Sequence, residues 1–171
     1  MTGQGPAADV HALEAANIAL YAAVEGGDFD AMSTMWVDGP VGDSAVCVHP
    51  GWPAVLGRGP ILRSWALIMA NTTYIQFFLT DVEASVVDDI GVVSCQENIL
   101  TGIGTASGDD MGGFSGGRVV ATNVFRRSAS GWQVWMHHAS PVLATDDRGE
   151  ADDAAGDGRG RGTEGPDGEQ Q

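Results

Sequence analysis

"TTYIQFFLTDVEASVVDD", residues 72–89, is where the chain changes character. The run is rich in β-branched and aromatic residues and is long enough for one strand or a bent pair of strands. Downstream come "GVVSCQENILTG" (91–102), a glycine-rich connection "IGTASGDDMGGFSGG" (103–117), "RVVATNVFRR" (118–127) and, across the turn "SASG" (128–131), "WQVWMHHASPV" (132–142). These segments read as consecutive antiparallel strands joined as hairpins. Upstream the period is helical: "DVHALEAANIALYAAVEGGD" (9–28) puts Leu13, Ala16, Leu20 and Val24 at helical spacing. Gly26-Gly27 ends that helix, because glycine tolerates a left-handed exit, and Asp28 caps a short second helix over 28–36. "DGPVGDS" (38–44) reads as a turn and "SAVCVH" (44–49) as a short strand. From "GRGP" (57–60) a third helix begins, with Pro60 suited to its first position and Ile61, Trp65 and Ile68 on one face. Helices first and strands afterwards imply a segregated α+β domain, its helices packed on one face of a curved sheet.

The 171 residues, 43% of them hydrophobic, suffice for one core and are too few for two. The expected organisation is a loose stretch over 1–9, one domain over 10–144 and a disordered acidic, glycine-rich tail over 145–171. That tail has almost no apolar residue beyond alanine, so burial cannot offset the entropy of ordering it. The net charge is −15, of which the tail supplies −6, and all eight basic residues are arginine. Such a balance argues against nucleic acid and anionic membranes as partners, since both are bound through clustered Lys and Arg. No run of about 18 apolar residues occurs and the first residues do not read as a signal peptide, so a cytoplasmic location is expected. Cys47 and Cys95 sit in apolar strand-like runs and are expected as buried thiols. No Rossmann, P-loop or metal-ligand spacing is present, so neither cofactor nor metal is expected. "GFSGG" lacks the strand–turn–helix setting that would make Ser115 a nucleophile.

Strict alternation along the last strand groups Trp132, Val134, Met136 and His138 on one face, with Gln133, Trp135 and His137 on the other. Adjacent histidines then point opposite ways and cannot easily share a metal. By apolar company His138 belongs to the inner face, either as a pocket residue or as a buried histidine bonded to backbone or Ser140. His137 and Trp135 fall on the outer face, where they suit a subunit interface. Glu97 shares its face with Val93, Cys95 and Ile99. It either enters a pocket, where desolvation raises its pKa, or faces outward, solvated or paired with Arg118 or Arg126. Trp36, Trp52 and Trp65 cluster around the loop and the third helix, as core or as an aromatic pocket wall. Arg58 is placed to tie down the loop carrying His49, while His11, Asp109 and Asp110 read as surface.

The layout, together with "YAAVEGGDFDAMSTMW" (21–36), "VHPGWPAVLGRGPILRSW" (48–65) and "VFRRSASGWQVWMHHAS" (124–140), resembles the SnoaL-like branch of the nuclear-transport-factor-2-like superfamily over residues 10–143. The resemblance implies a cone-shaped curved antiparallel sheet, an α+β barrel, with three N-terminal helices enclosing a pocket. It also implies a homodimer through the outer sheet face. Steroid isomerases, polyketide cyclases, epoxide hydrolases and dehydratases share that fold with members that only bind or assemble, so fold does not settle function. The base of the isomerase and cyclase relatives is an Asp before a Pro- or Gly-containing turn; His49, followed by Pro50 and Gly51, takes that position here. With an ordinary pKa of about 6.5, a histidine accepts a proton at neutral pH. Relatives hold the developing oxyanion with a Tyr on the first helix and a protonated Asp on the penultimate strand. Aligning "EGGD" puts Leu20, not Tyr21, at the first position, and Asn123 takes the second, where its amide can donate. The implied site is therefore His49, Asn123 and His138 as catalytic groups and Trp36, Trp52 and Glu97 as ligand-binding groups. It would bind a small apolar organic molecule and move a proton beside a carbonyl. The alternative is a non-catalytic ligand-sensing or association domain.

Overall fold

A computed structural model describes residues 3–104 and 111–142. In chain order its elements are β1 (Gly3–Gln4), α1 (Ala7–Glu25), α2 (Phe29–Met35), α3 (Gly39–Gly42), β2 (Val46–Val48), β3 (Val55–Leu56), α4 (Arg58–Ala70), β4 (Ile75–Val87), β5 (Ile90–Gly104), β6 (Met111–Ser128) and β7 (Gly131–Pro141). The three expected helices are α1, α2 and α4; the added α3 is a single turn within the expected loop. As expected, Asp28 caps α2, its Oδ1 accepting from Ala31 N at 2.9 Å, and Gly27 leaves α1 at φ +61°. Arg58 does not hold the loop of His49. Its guanidinium donates to Ser33 O at 2.6 Å, tying α4 to α2.

The seven strands form one sheet in the order β1-β4-β5-β6-β7-β2-β3. Strands β4 to β7 are antiparallel hairpins, whereas β1 runs parallel to β4 and β2 parallel to β7. Among the described residues the sheet curves and ends at two edges, β1 and β3, which is the cone-shaped sheet expected, without closure into a full barrel. The run 72–89 holds a single strand, β4, bent by a bulge between Thr80 and Glu83 where Asp81 takes φ +51°. The glycine-rich connection is in large part strand, since Gly117, Gly116, Ser115 and Phe114 pair with Ile99, Leu100, Thr101 and Gly102. Nor are residues 3–9 loose. Gly3 and Gln4 pair with Ala84 and Ser85, and a Cβ on Gly5 would lie 2.9 Å from Val86 O, so only glycine lets the chain pass so near β4. The expectations for Asp109, Asp110 and the segment 145–171 lie outside the described residues.

The helices lie on the concave face. Between them and the sheet lies a core of Leu13, Leu20, Met32, Trp36, Ile61, Val93, Phe125 and Val134, each 1% exposed or less. Gly91 lets α1 seat this closely, because a Cβ there would meet Leu13 Cδ1 at 2.6 Å. Among the described residues no helix is long and apolar enough to cross a membrane.

Candidate active site

Between α1, α4, the 49–52 turn and the inner faces of β4, β5 and β7 lies a cavity of about 270 Å³. Its walls are largely apolar, from Val24, Trp52, Trp65, Ile68, Ile75, Phe77 and Ile99; its polar groups include Tyr21, His49, Glu97 and His137.

His49 follows β2 directly. Gly51, at φ +78°, reverses the chain so that Trp52 N donates to His49 O at 2.9 Å and the indole of Trp52 returns over the imidazole. The His49 ring meets Trp52 and Trp65 edge-on at centroid distances of 5.1 and 4.6 Å. Its Nε2 lies 2.8 Å from Ser64 Oγ, and the Ser64 hydroxyl gives its one proton to Ile61 O at 2.7 Å. Nε2 must therefore be the donor and Nδ1 the lone pair. Burial lowers the His49 pKa from its ordinary 6.5 to about 4, so the imidazole is neutral at pH 7.

Glu97 points inward and is 2% exposed. Alternation along β5 puts it with Val93 and Cys95, and of the two orientations open to the sequence the inner one holds. Tyr21 donates to Glu97 Oε1 at 2.7 Å, Asn123 Nδ2 donates to Tyr21 Oη at 3.0 Å and to Asn17 Oδ1 at 2.8 Å, and His137 Nδ1 lies 2.7 Å from Asn123 Oδ1. Burial raises Glu97 from an ordinary 4.5 to about 7, against the Tyr21 hydrogen bond, which lowers it. Burial and the neighbouring Glu97 push the Tyr21 hydroxyl far above its ordinary range, so it keeps its proton. Burial, then repulsion from His49 and His138, lowers His137 to about 3. Near neutral pH, then, the carboxyl stands between its charged and neutral forms while both histidines are uncharged.

Of the expected site residues, His49, Trp52 and Glu97 line the cavity. Trp52, at its mouth, is 41% exposed. Trp36 does not line it; fully buried in the core, it bridges Val134. Asn123 lies beneath the cavity with both amide hydrogens committed, so it holds Tyr21 and His137 in place and offers no donor to a ligand. His138 is exposed on the outer face and His137 is inside, the reverse of the expectation. The cause is a bulge: Val124 pairs with Met136 but Phe125 with Val134, so Trp135 is an extra residue that shifts the alternation by one. The two histidines do face opposite ways. Trp135 is tied by its Nε1 to Ser44 Oγ at 2.9 Å. The sequence reading missed Tyr21, Asn17 and His137. Asn17 and Tyr21 are one turn apart on α1, beside Leu13, Leu20 and Val24 on its buried face, and that spacing was the available signal.

Fold and cavity together define a small curved-sheet protein with a largely apolar pocket that holds one carboxyl and two histidines. The model of the SnoaL-like domain family matches residues 13–144, and the chain belongs to that family, within the nuclear-transport-factor-2-like superfamily. A Streptomyces avermitilis protein of the nuclear-transport-factor-2-like family, described as a candidate dehydratase, is 52% identical with a TM-score of 0.77, covering 81% of this chain and all of that one. A Thiobacillus denitrificans protein described as a candidate calcium/calmodulin-dependent protein kinase type II association domain is 29% identical, TM-score 0.62, covering 76% of this chain and 94% of that one. A ketosteroid isomerase-like protein from Erwinia carotovora atroseptica shares the fold at 19% identity, TM-score 0.61, over 81% of this chain and all of that one. No curated protein matches the sequence.

Proposed function

We propose that the cavity binds a small, uncharged, mainly apolar molecule and carries out cofactor-free proton transfer on it, as isomerisation, cyclisation or loss of water. One observation carries this reading: Glu97, shifted by burial to about 7, sits in hydrogen-bond contact with Tyr21 and shares one cavity with two neutral histidines. A carboxyl of that pKa takes a proton from carbon or gives one to a leaving oxygen at neutral pH with little cost either way. This moves the base from His49, which burial holds at about 4 and so makes a poor proton acceptor at neutral pH, to Glu97; the histidines orient the ligand. The Streptomyces relative, described as a candidate dehydratase, supports loss of water among the three outcomes.

The same reading takes the protein as a cytoplasmic homodimer joined through the outer sheet face. Phe78, Val120 and Met136 are exposed there at 52, 47 and 36%, and the free thiols Cys47 and Cys95 suit a reducing compartment.

The test is proton NMR in D₂O with a panel of small ketones and β-hydroxy ketones. Deuterium should enter beside the carbonyl, or water should be lost, and Glu97→Gln should slow this by about 10²-fold or more with unchanged circular dichroism. A Glu97→Gln protein as fast as wild type, or no reaction of any compound that binds, ends the reading.

A further inference from the structure

The direction of each hydrogen bond around the cavity fixes what its polar groups can still offer. Both N–H bonds of the Asn123 amide are used, on Asn17 Oδ1 and Tyr21 Oη, so Asn123 Oδ1 accepts, and the partner 2.7 Å from it, His137 Nδ1, carries the proton. A neutral imidazole protonated at Nδ1 has its lone pair at Nε2. That atom has no partner among the described residues, and His137 lines the cavity.

Three of the donors around it are spent, which leaves the Trp52 indole N–H at the mouth and, in its protonated form only, the Glu97 carboxyl. The Tyr21 hydroxyl donates to Glu97, the His49 Nε2–H to Ser64 and the Thr101 hydroxyl to Ser115 O at 3.3 Å. The Trp65 indole N–H has no partner among the described residues, but it is shut away from the cavity surface.

We infer that the cavity selects a ligand carrying a hydroxyl group, whose O–H is received by His137 Nε2. This deepens the proposed function by naming the substrate class, an uncharged hydroxy compound in place of a simple ketone, and it takes the small-molecule reading of the cavity as given. Three buried groups set this selectivity from behind. His137, Asn123 and Tyr21 each donate toward Glu97, so the chain His137→Asn123→Tyr21→Glu97 runs in one direction and each bond polarises the next. A ligand presenting only a carbonyl or ether oxygen would set one lone pair against another at His137. Asn123 is thus a positioning residue, acting through the tautomer of His137.

Two measurements test this without knowledge of the natural substrate. Nitrogen-15 NMR of labelled wild-type protein at pH 7 should show His137 protonated at Nδ1 and bare at Nε2. In titrations with phenol against anisole, and cyclohexanol against cyclohexanone, each hydroxyl compound should bind about tenfold tighter or better, the worth of one buried hydrogen bond. It should also move the His137 Nε2 resonance. In His137→Phe, phenol and anisole should bind alike. The inference is overturned by a proton on His137 Nε2, by anisole binding as tightly as phenol to wild type, by a preference that survives in His137→Phe, or by no binding of any hydroxylated probe. These are equilibrium readouts, whereas the proton-transfer reading stands or falls on the rate of Glu97→Gln, so either can fail alone.

Discussion

Replacing Glu97 by glutamine should make the protein more stable as pH rises, although the change deletes the group to which catalysis is assigned. In the folded chain the carboxyl titrates at about 7 instead of its ordinary 4.5. At about 1.4 kcal/mol per pKa unit this is a stability difference on the order of 3 kcal/mol. Its sign follows from proton counting. Between pH 4.5 and 7 the folded state holds a proton that the unfolded state has released, so the Glu97 contribution to stability falls through that window and is constant above it. Glutamine cannot ionise, and its side-chain oxygen still accepts from Tyr21. Subtracting the two proteins' stabilities cancels every other titrating group, leaving a curve that is flat below about pH 4.5, rises by about 3 kcal/mol in favour of Glu97→Gln and is flat again above 7. Each protein's own curve carries a second signature. His49 and His137, lowered to about 4 and 3, stay bare when folded but take up protons when unfolded below 6.5, so both add stability as pH rises toward 6.5. Two protons against one leave the wild type gaining about 1.4 kcal/mol per pH unit from these three groups between 4.5 and 6.5, and Glu97→Gln about twice that. Urea unfolding followed by tryptophan fluorescence from pH 4 to 8 reads both slopes. A difference curve independent of pH would mean that Glu97 titrates as a solvated carboxyl, and the acid–base assignment would go with it.

Two further perturbations probe the frame around the cavity. Gly91→Ala would place a methyl 2.6 Å from the Cδ1 of fully buried Leu13 and should cost about 1–3 kcal/mol in urea unfolding, partly recovered by adding Leu13→Val; a loss below about 0.5 kcal/mol would mean that α1 is not seated on β5 this closely. On the outer sheet face, Met136→Asp with Val120→Asp should convert the proposed dimer to monomer in sedimentation velocity while leaving the phenol titration unchanged; a wild type that sediments as a monomer, or a double variant that sediments as a dimer, would refute that interface.

Helical and strand periods, read locally, located the helices α1, α2 and α4, the hairpin strands β4 to β7 and the capping of α2 by Asp28, because each is set by neighbours within a few residues. What they missed depends on partners far along the chain. Trp135 is one residue too many for β7 only because of how β6 pairs with it, and no alternation rule within 132–142 reveals that, so His137 and His138 exchanged faces. The parallel pairing of Gly3 and Gln4 with β4, about 80 residues away, is equally invisible to a local reading. Tyr21 is a different case. Placing the site tyrosine by its distance from "EGGD" chose Leu20, but the helix turns 100° per residue and only one of the two can aim at the sheet beside Asn17. Leu20 goes to the core and Tyr21 reaches Glu97. The helical period, applied to the polar residues as well as the apolar ones, would have chosen correctly.

His49 can now be weighed against the position it occupies. A solvated histidine after β2 would be the better base at neutral pH, but the aromatic cage that encloses it removes the water that would stabilise its charged form. The same loss of water acts on Glu97 with opposite sign, since burial disfavours whichever form is charged: it drives the histidines toward their neutral state and lifts the carboxyl toward 7. One physical cause therefore divides the labour. The cavity is left with a single exchangeable proton near neutral pH, on Glu97, and with imidazoles that hold a ligand without competing for that proton. Opening the cage should undo the division from both ends at once, because water admitted beside His49 also reaches Glu97. In Trp52→Ala, with the wall at the mouth removed, the His49 pKa should climb toward 6.5 while that of Glu97 falls toward 4.5, both followed by NMR. Movement of one without the other would show that local partners, and not shared desolvation, set the two values.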